Sequence, residues 1–350
     1  PLFRGVHSLV FAHDLIPLRY PKLSPLLAYH LAYVPLVLNQ AVKVFCNSDA
    51  TAKELHETLK VPLNKLIKVP LAFDQSKVYP LNLKRETFFL VLGRHDPHKN
   101  IPGILKAFAL SKLNDYHLKI VGSQNNRFTP KYIQLAEDLG ISSRCKWIPW
   151  VTDQERLLLF NKCQGLVICS FWEGFGLPAL EAMACKTPVI ASSCGALPEV
   201  VGDSAFLIDP KNPFSIADAM VELTSNTMLV QNLVKRGLNR AGLFQWNNAA
   251  NTVEKILKDI PVQNWDKKFL YEFSLPINEL PSISEKESVW KAIIKIEKTK
   301  DGKLLVLSAS GLPLGTLDRV DIGKSVLKKI GLNLPDQLIK AARKENIYPI

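Results

Sequence analysis

Cysteine is scarce in this sequence, and its distribution excludes a disulfide-rich protein. There are six cysteines in 350 residues, without a Cys-x-x-Cys pair. Runs of lysine and arginine and basic-aromatic repeats are also absent, which argues against nucleic acid as a partner. The cysteines are interpreted as buried thiols of a protein in the reducing cytosol, and they lie at Cys46, Cys145, Cys163, Cys169, Cys185 and Cys194.

Long apolar runs are missing too, apart from one stretch. The amino terminus starts at Pro1 and lacks the layout of a signal peptide, so we expect the natural chain to begin upstream. Residues 24–42 carry no charged side chain apart from His30, and this stretch is barely long enough to span a bilayer. Pro35 in its middle favours a buried or interfacial helix instead. The predicted location is the cytoplasm, with peripheral contact at the inner membrane face left open.

The composition that remains is that of a folded protein with anionic partners. Hydrophobic residues make up 47% and charged residues 22% of the chain, and no low-complexity segment stands out. The net charge is +12, which favours phosphorylated small molecules or a membrane surface as partners. At 350 residues the chain is long enough for two or three domains.

Strand and helix patterns alternate from the first residues. Two apolar runs, at 8–13 and 42–46, end in polar loops and resemble parallel strands. Ser48 or Asp49 can cap a helix over 50–59, and a further short strand is predicted at 67–69.

From Phe88 the same rhythm is stronger, and it predicts a doubly wound parallel sheet. Ligands bind to such sheets beyond the carboxyl ends of the strands. The predicted strands are 88–93, 117–122, 145–150, 165–170, 188–192 and 205–209, and the predicted helices are 101–111, 130–139, 154–161, 178–185 and a short one near Pro198.

These patterns divide the chain into four parts. We expect a partial Rossmann-like domain over 1–85, a second such domain over 86–260, a Pro-punctuated linker over 261–284 and a small α+β unit over 285–350. In the last part the order is helix, strand, strand, helix, at 285–297, 304–309, 313–317 and 322–330.

The most informative string is EGFGLPALE, residues 173–181, which follows a predicted strand and opens a helix. Its two glycines allow close approach of the backbone, and the amides of a helix start bind anions such as a diphosphate. Glu173 and Glu181 place two carboxylates at this corner, where one can face a sugar and the other a ribose. The alternative is a solvated loop glutamate and a glutamate that is merely favourable near a helix N-terminus.

A second string, GRHDPHKN at 93–100, follows another strand end. Gly93 permits a turn, and Arg94 and Lys99 bring two cations to the lip of the crevice, where they can bind phosphate oxygens. His95 and His98 form a His-x-x-His pair, but one nearby aspartate is weak support, and we predict no metal there.

Two further strings lie at predicted strand ends. His13 either hydrogen-bonds a substrate or caps its own turn. In residues 192–199, Gly195 offers close backbone approach and Glu199 lies near a helix start. Nucleotide-binding P-loops, Gly-x-Gly-x-x-Gly strings and the zinc-protease and serine-hydrolase strings do not occur.

Taken in order, these strings resemble the retaining GT-B glycosyltransferases of the Glu-x7-Glu type, also called glycosyl transferases group 1 or family 4. This family includes bacterial mannosyl-, glucosyl- and galactosyltransferases for cell-surface polysaccharide. The resemblance covers residues 9 to about 257 and is carried by HDLIPLRYP, NSDATAKEL, GRHDPHKN, EGFGLPALE, PVIASSCGALPEVVGD and FQWNNAA.

The resemblance implies a fold and a reaction. Two Rossmann-like domains would face each other across a cleft, and a helix over 244–257 would cross back to the N-terminal one. A hexose would pass from a GDP-, UDP- or ADP-sugar to a saccharide or lipid-linked acceptor, and mannose carried by GDP is favoured. Cations and helix amides would stabilise the leaving diphosphate, so neither a metal nor another cofactor is expected.

Each motif residue acquires a role from the resemblance. Arg94 and Lys99 match the pair that binds the diphosphate, and Glu181 matches the carboxylate that holds the ribose. Glu173 and His13 match the residues beside the donor sugar, and we expect them to be the catalytic residues. The loop beneath the sugar is matched by Gly174, Phe175, Gly176 and Leu177.

The sequence departs from the family at its beginning. Fewer residues precede Phe88 than the family uses for its N-terminal domain, and the Gly-rich loop of that domain is missing. We therefore expect an incomplete N-terminal sheet, an acceptor pocket that is mostly absent, and poor transfer by this chain alone. The alternative function is a non-catalytic nucleotide-binding or regulatory protein that keeps only the donor fold.

The C-terminal part resembles a different family. WKAIIKIEKTKDGKLLVLSASGLPLGTLDRVDIGKSVL, which starts at Trp290, is similar to a regulatory module of the cystathionine-beta-synthase (CBS) type. The stretch from SLPINELPSI onward is similar to the tails of cyanobacterial site-2 metalloproteases. A small interaction domain is the alternative.

Overall fold

A computed structural model of the chain describes residues 8–20, 31 and 33–260, together with the backbone of three short strands in the last part of the chain. The chain divides into two units, Pro1–Asp259 and Ile260–Ile350.

The first unit begins with a small parallel sheet. Its three strands are β1 (Leu9–Ala12), β2 (Lys43–Cys46) and β3 (Leu66–Lys68), in that spatial order. The helices around it are α1 (Ile16–Arg19), α2 (Val34–Gln40) and α3 (Asp49–Leu59).

The predicted strands and the helix of this region are confirmed to within two residues. Leu38 of α2, Val44 of β2 and Leu55 of α3 are buried together, so both longer helices pack on the sheet. Of the two candidate caps for α3, the side chain used is that of Ser48, which accepts a hydrogen bond from the Thr51 amide at 3.0 Å.

The uncharged stretch at 24–42 ends in α2, while residues 24–30 and 32 lie outside the described part of the chain. Within the described residues, no helix is long and apolar enough to cross a membrane.

A second, six-stranded sheet follows, and all of its strands are parallel. Their spatial order is β6-β5-β4-β7-β8-β9, so the chain reverses its direction of winding between β4 and β7. This is the doubly wound arrangement expected from the sequence, and its crevice lies where the order reverses. The strands are β4 (Phe88–Leu92), β5 (His117–Val121), β6 (Cys145–Ile148), β7 (Gly165–Ile168), β8 (Val189–Ser192) and β9 (Phe206–Ile208).

Helices cover both faces of this sheet. Successive residues of a strand point to opposite faces, and accordingly Phe88 and Leu90 belong to one core layer while Phe89 and Val91 belong to the other. This double burial explains why β4 has a continuous apolar sequence. The helices are α4 (Ile101–Leu110), α5 (Thr129–Asp138), α6 (Asp153–Lys162), α7 (Leu177–Ala184), α8 (Leu197–Val201), α9 (Pro213–Ser225), α10 (Thr227–Gly242) and α11 (Trp246–Asp259).

Of these helices, α9 and α10 were not predicted from the sequence. The last helix, α11, packs on the small sheet, where Ala249, Val253 and Ile256 contact Phe45 and Val69. The spacing of the three helix residues puts them on one face. Through this helix the polypeptide returns from the second sheet to the first.

All six cysteines are free thiols. Four are buried, as the sequence suggested, whereas Cys145 and Cys194 are half-buried.

In the second unit three strands form a separate small sheet. Strand β10 (Ser282–Ser284) pairs parallel with β11 (Lys303–Leu307), which pairs antiparallel with β12 (Pro313–Asp318). Strands β11 and β12 correspond to the two predicted strands, whereas β10 lies inside the predicted linker. The predicted helices at 285–297 and 322–330 lie outside the described residues, and the resemblance to a CBS-type module stays a prediction.

Asn100 links three strand ends of the large sheet and is 5% exposed. It has left-handed backbone angles, and its side-chain oxygen caps α4 by accepting from the Gly103 amide at 3.2 Å. Its amide nitrogen donates to the carbonyls of Cys169, after β7, and Pro210, after β9.

We expect Asn100→Ala to lower the free energy of unfolding by about 2 to 4 kcal/mol, because a cap is lost and two buried carbonyls lose their donor. The exposed cap Asn212, which accepts from the Phe214 amide, is a matched control. Asn212→Ala should cost about 1 kcal/mol. Urea denaturation measures both losses, and equal values would contradict the linking role of Asn100.

Candidate active site

The loops after β4, β7 and β8 meet at the carboxyl edge of the large sheet and are joined by hydrogen bonds. The Phe171 amide donates to the carbonyl of His98 at 2.8 Å, and the Ser192 hydroxyl donates to the carbonyl of Ser170 at 2.7 Å. The Ala196 amide donates to the carbonyl of Glu173 at 3.0 Å. The three loops therefore form one connected surface at the point where ligands bind to such sheets.

Glu173 and Lys99 form an ion pair at the centre of this surface. Lys99 Nζ lies 2.6 Å from Glu173 Oε1, and the Ser170 hydroxyl donates to the same oxygen at 2.6 Å. Glu173 is 8% exposed, so water screens the pair less than it would at the open surface. Lys99 follows β4 and Glu173 follows β7, so the pair spans the two adjacent strands at which the winding reverses.

Arg94 lies at the rim of the same edge and is mostly exposed. Its Nη2 is 3.2 Å from Asp96 Oδ2. Asp96 is buried and also accepts from Asn125 Nδ2 at 3.0 Å. Both cations that the sequence assigned to the diphosphate thus lie at the expected edge, each beside a carboxylate that holds it in place.

Glu181 lies on α7 and pairs with Arg156 of α6. Arg156 Nη1 is 3.0 and 3.1 Å from the two carboxylate oxygens, and Nη2 is 3.2 Å from Asp153. Burial raises the pKa of Glu181, while Arg156 opposes this shift. The two glutamates of the Glu-x7-Glu string therefore have separate cationic partners.

Residues 173–176, which we call the EGFG loop, also lead into helix α7 and contribute a side chain to the core. Gly176 is the N-cap of α7 with φ +105°, a conformation that glycine adopts without strain. The helix begins at Leu177, so Pro178 is its second residue rather than its first. The Ala179 amide donates to Gly176 within the turn. Phe175 is buried and packs edge-on against Phe244, with ring centroids 5.8 Å apart.

His13 lies at the end of β1 and comes close to the EGFG loop through its backbone. A Cβ atom at Gly174 would lie 2.5 Å from the His13 carbonyl oxygen, so only glycine fits at this contact. The His13 ring stacks on Phe11 at 4.9 Å. The loops that carry the two predicted catalytic residues, His13 and Glu173, are thereby in backbone contact. The neighbouring Asp14 accepts a hydrogen bond from the Ile16 amide at the start of α1.

The histidines after β4 are buried and contact neighbouring side chains. The His95 ring contacts the Thr129 hydroxyl at 3.0 Å, and the His98 ring lies 5.5 Å from that of Tyr20. Burial lowers the pKa of both histidines, which favours their neutral forms near pH 7. Among the described residues, no cluster of three metal-ligating side chains occurs.

Four contributors to this region were not predicted from the sequence: Ser170, Arg156, Arg19 and Trp172. The Arg19 guanidinium lies 3.8 Å above the Trp172 ring and donates to Glu54 at 2.9 Å, so α1 reaches the residue that precedes Glu173. Arg19 and Trp172 lie in or beside motif strings, but nothing in those strings indicates that they stack. Arg156 is on a helix with no motif, and only its nearness to Glu181 reveals it.

Comparison with known proteins gives the same architecture and a family. The family model described as Glycosyl transferases group 1 matches residues 74–240. The structure is similar to that of a sucrose-phosphate synthase from Thermosynechococcus elongatus, with a TM-score of 0.63, 24% identity and coverage of 71% of this chain and 67% of that one. It is also similar to Anabaena Alr3699/HepE in complex with UDP and glucose, with a TM-score of 0.63, 18% identity and coverage of 72% and 71%.

Relatives among characterised proteins include two mannosyltransferases. O-antigen chain mannosyltransferase B of Escherichia coli is 28% identical over 225 residues, which are 60% of this chain and 59% of that protein. The MMP alpha-(1->4)-mannosyltransferase of Mycolicibacterium hassiacum is 31% identical over 225 residues, 62% of this chain and 54% of that protein. The chain thus spans little more than half the length of these relatives. Residues 74–240 of this chain form a domain of the glycosyl transferases group 1 family, with the parallel-sheet fold of GT-B proteins.

Proposed function

We propose that this chain binds a nucleoside diphosphate hexose and transfers the sugar, with retention, to a saccharide or lipid-linked acceptor. The observation that carries this proposal is the partly buried Lys99–Glu173 pair with the Ser170 hydroxyl at the switch point of the large sheet. The family match supports glycosyl transfer in general.

In this proposal Lys99 and Arg94 bind the diphosphate. Lys99 is held by Glu173, so its side chain does not have to be ordered when the ligand arrives, whereas Arg94 beside Asp96 is mostly exposed. Charge-assisted hydrogen bonds of this kind contribute about 1.5 to 3 kcal/mol each. The same cations stabilise the charge that develops on the leaving diphosphate.

Glu173 and His13 face the donor sugar in this proposal, and Glu181 holds the ribose. Glu173 is suited to a fixed position beside the sugar because two donors share one of its oxygens and leave the other for a ligand hydroxyl. Glu181 is joined to α6 through Arg156 and thus has a defined orientation.

The sugar is proposed to be mannose, because the relatives described above are mannosyltransferases. The alternative donor is UDP-glucose, since a structural neighbour was solved with UDP and glucose. A thermal-shift panel of GDP-, UDP- and ADP-sugars separates these donors, because a ligand at a hundred times its Kd stabilises a protein by about 2.7 kcal/mol. Binding without turnover of any donor would instead favour the non-catalytic nucleotide-binding function.

We place the reaction in the cytoplasm at the inner membrane face. Free thiols fit a reducing compartment. Leu31, Leu36 and Leu63 are exposed. In the same region Lys43 donates to the carbonyl of Asn64, before β3, and Lys65 donates to the carbonyl of Asn39 in α2. Exposed leucines beside lysines suit peripheral contact with anionic lipid.

Replacement of the proposed diphosphate cations tests the site directly. We expect Lys99→Ala to weaken binding of the nucleoside diphosphate at least about tenfold, while the bare nucleoside is unaffected. Arg94→Ala should weaken binding less than Lys99→Ala does, because Arg94 is more exposed and better screened. Titration calorimetry measures both, with the exposed Lys106→Ala on α4 as control. Equal losses for diphosphate and nucleoside would sink the assignment.

Replacement of Glu181 should change both the stability of the protein and its affinity for the nucleoside. Its raised pKa means that the folded state disfavours the ionised form, so ionisation lowers stability as the pH rises through that pKa. Glu181→Gln should therefore make the midpoint of thermal unfolding less dependent on pH, because glutamine has no carboxyl group to ionise. It should also weaken nucleoside and nucleoside diphosphate alike, by about tenfold, because a ribose contact is lost. Unchanged nucleoside binding would contradict the ribose role.

We further propose that no metal takes part. Lys99 and Arg94 supply the positive charge that a divalent cation would otherwise provide. Turnover of the donor that the thermal-shift panel identifies should therefore be the same in excess EDTA as without it. A loss of turnover that magnesium or manganese restores would count decisively against this mechanism.

A further inference from the structure

The N-terminus of α3 touches both loops that carry the proposed catalytic residues. Thr51 Oγ1 lies 3.3 Å from the carbonyl oxygen of His13 and 3.3 Å from that of Gly174. Ser48 Oγ lies 2.8 Å from the Gly174 carbonyl oxygen. One helix end therefore contacts the residue after Glu173 and the backbone of His13 itself.

The hydroxyl oxygens of Ser48 and Thr51 also lie 2.9 Å from each other. Ser48 accepts from the Thr51 amide as the cap of α3, and its single proton is closest to the Gly174 carbonyl. Ser48 and Thr51 are both fully buried, so neither hydroxyl can turn to solvent. The Thr51 hydroxyl has three acceptors within reach, Ser48 Oγ and the carbonyl oxygens of His13 and Gly174, so it lies against both loops.

The two loops are packed closely at this contact. Gly174 approaches the His13 carbonyl so closely that a Cβ atom would not fit. Loss of the Thr51 hydroxyl would leave the Gly174 carbonyl with the Ser48 hydroxyl but would remove the contact of α3 with the His13 carbonyl, so the two loops would no longer share a donor.

A second contact holds α3 against the same region. Both carboxylate oxygens of Glu199, on α8, accept from the Asp49 amide at 2.9 and 3.1 Å. The residue before α8, Ala196, donates to the Glu173 carbonyl. Helix α3 is thus linked to Glu173 in two ways. It contacts Gly174, the residue after Glu173, and it contacts Glu199 of α8, whose preceding residue Ala196 bonds to the Glu173 carbonyl.

We propose that Thr51, supported by Ser48, is a positioning residue that sets the separation of His13 from Glu173. This inference rests on the proposed function, which gives those two residues their roles beside the donor sugar. Thr51 does not contact substrate in this proposal; its hydroxyl fixes where the two loops stand. Reacting groups tolerate little displacement, so a small shift of either loop lowers turnover more than it lowers donor binding.

The test compares variants that differ in one hydroxyl. Thr51→Val removes the hydroxyl while keeping the branched shape, and Thr51→Ser restores it. Thr187→Val is the matched control, because Thr187 is equally buried and also donates to a main-chain carbonyl, that of Phe160, at the opposite end of the sheet. Hydrogen exchange read by mass spectrometry is followed in peptides covering 9–15 and 171–177. Donor turnover is followed with the nucleotide sugar that the thermal-shift panel identifies.

For Thr51→Val we expect faster exchange in both peptides, and turnover about tenfold lower at saturating donor with little change in KM. Thr51→Ser should return both readouts toward the parent values. Thr187→Val should lower the melting temperature without changing either peptide. If Thr51→Val behaves like Thr187→Val, the proposal is overturned. A parent chain without turnover would count against the proposed function alone, since the exchange measurement needs no nucleotide.

Discussion

The pairing of β4 with β7 is the constraint on which the other features depend. Because these neighbouring parallel strands connect to helices on opposite sides, the loops that follow them diverge and leave a crevice between them. Lys99 comes from one of these loops and Glu173 from the other, and their ion pair closes the base of the crevice. Asn100 then ties the same loops to the end of β9. Without the β4–β7 pairing, none of these side chains would meet.

The charges of the candidate site are arranged in pairs. Lys99 is held by Glu173, Arg94 by Asp96 and Arg156 by Glu181. Paired charges cost less to bury than isolated ones and keep their side chains in place. A diphosphate that approaches this edge meets cations whose positions are already set. The arrangement also explains why a basic protein carries so many carboxylates at the edge where an anion is proposed to bind.

The small sheet contributes to the site through its backbone as much as through its side chains. His13 approaches the EGFG loop by its carbonyl group, and the N-terminus of α3 donates hydroxyls to that loop. Helix α11 packs on the small sheet from behind through Ala249 and its neighbours. The two sheets are therefore connected both at the proposed site and away from it. The width of the crevice depends on both sets of contacts.

The sequence by itself determined the parallel sheet, since the doubly buried strands are continuous apolar runs. It also located Arg94, Lys99 and Glu173 at strand ends and Glu181 in the helix that follows one of them. Such local patterns record burial and turn geometry directly. Only the tertiary structure decided which groups meet: Glu181 with Arg156, Arg19 with Trp172, and Thr51 with the carbonyls of His13 and Gly174. These partners are distant in sequence or act through backbone atoms that every residue has, so no residue type reveals them. The hydrogen bonds form only when folding brings separate strand ends together.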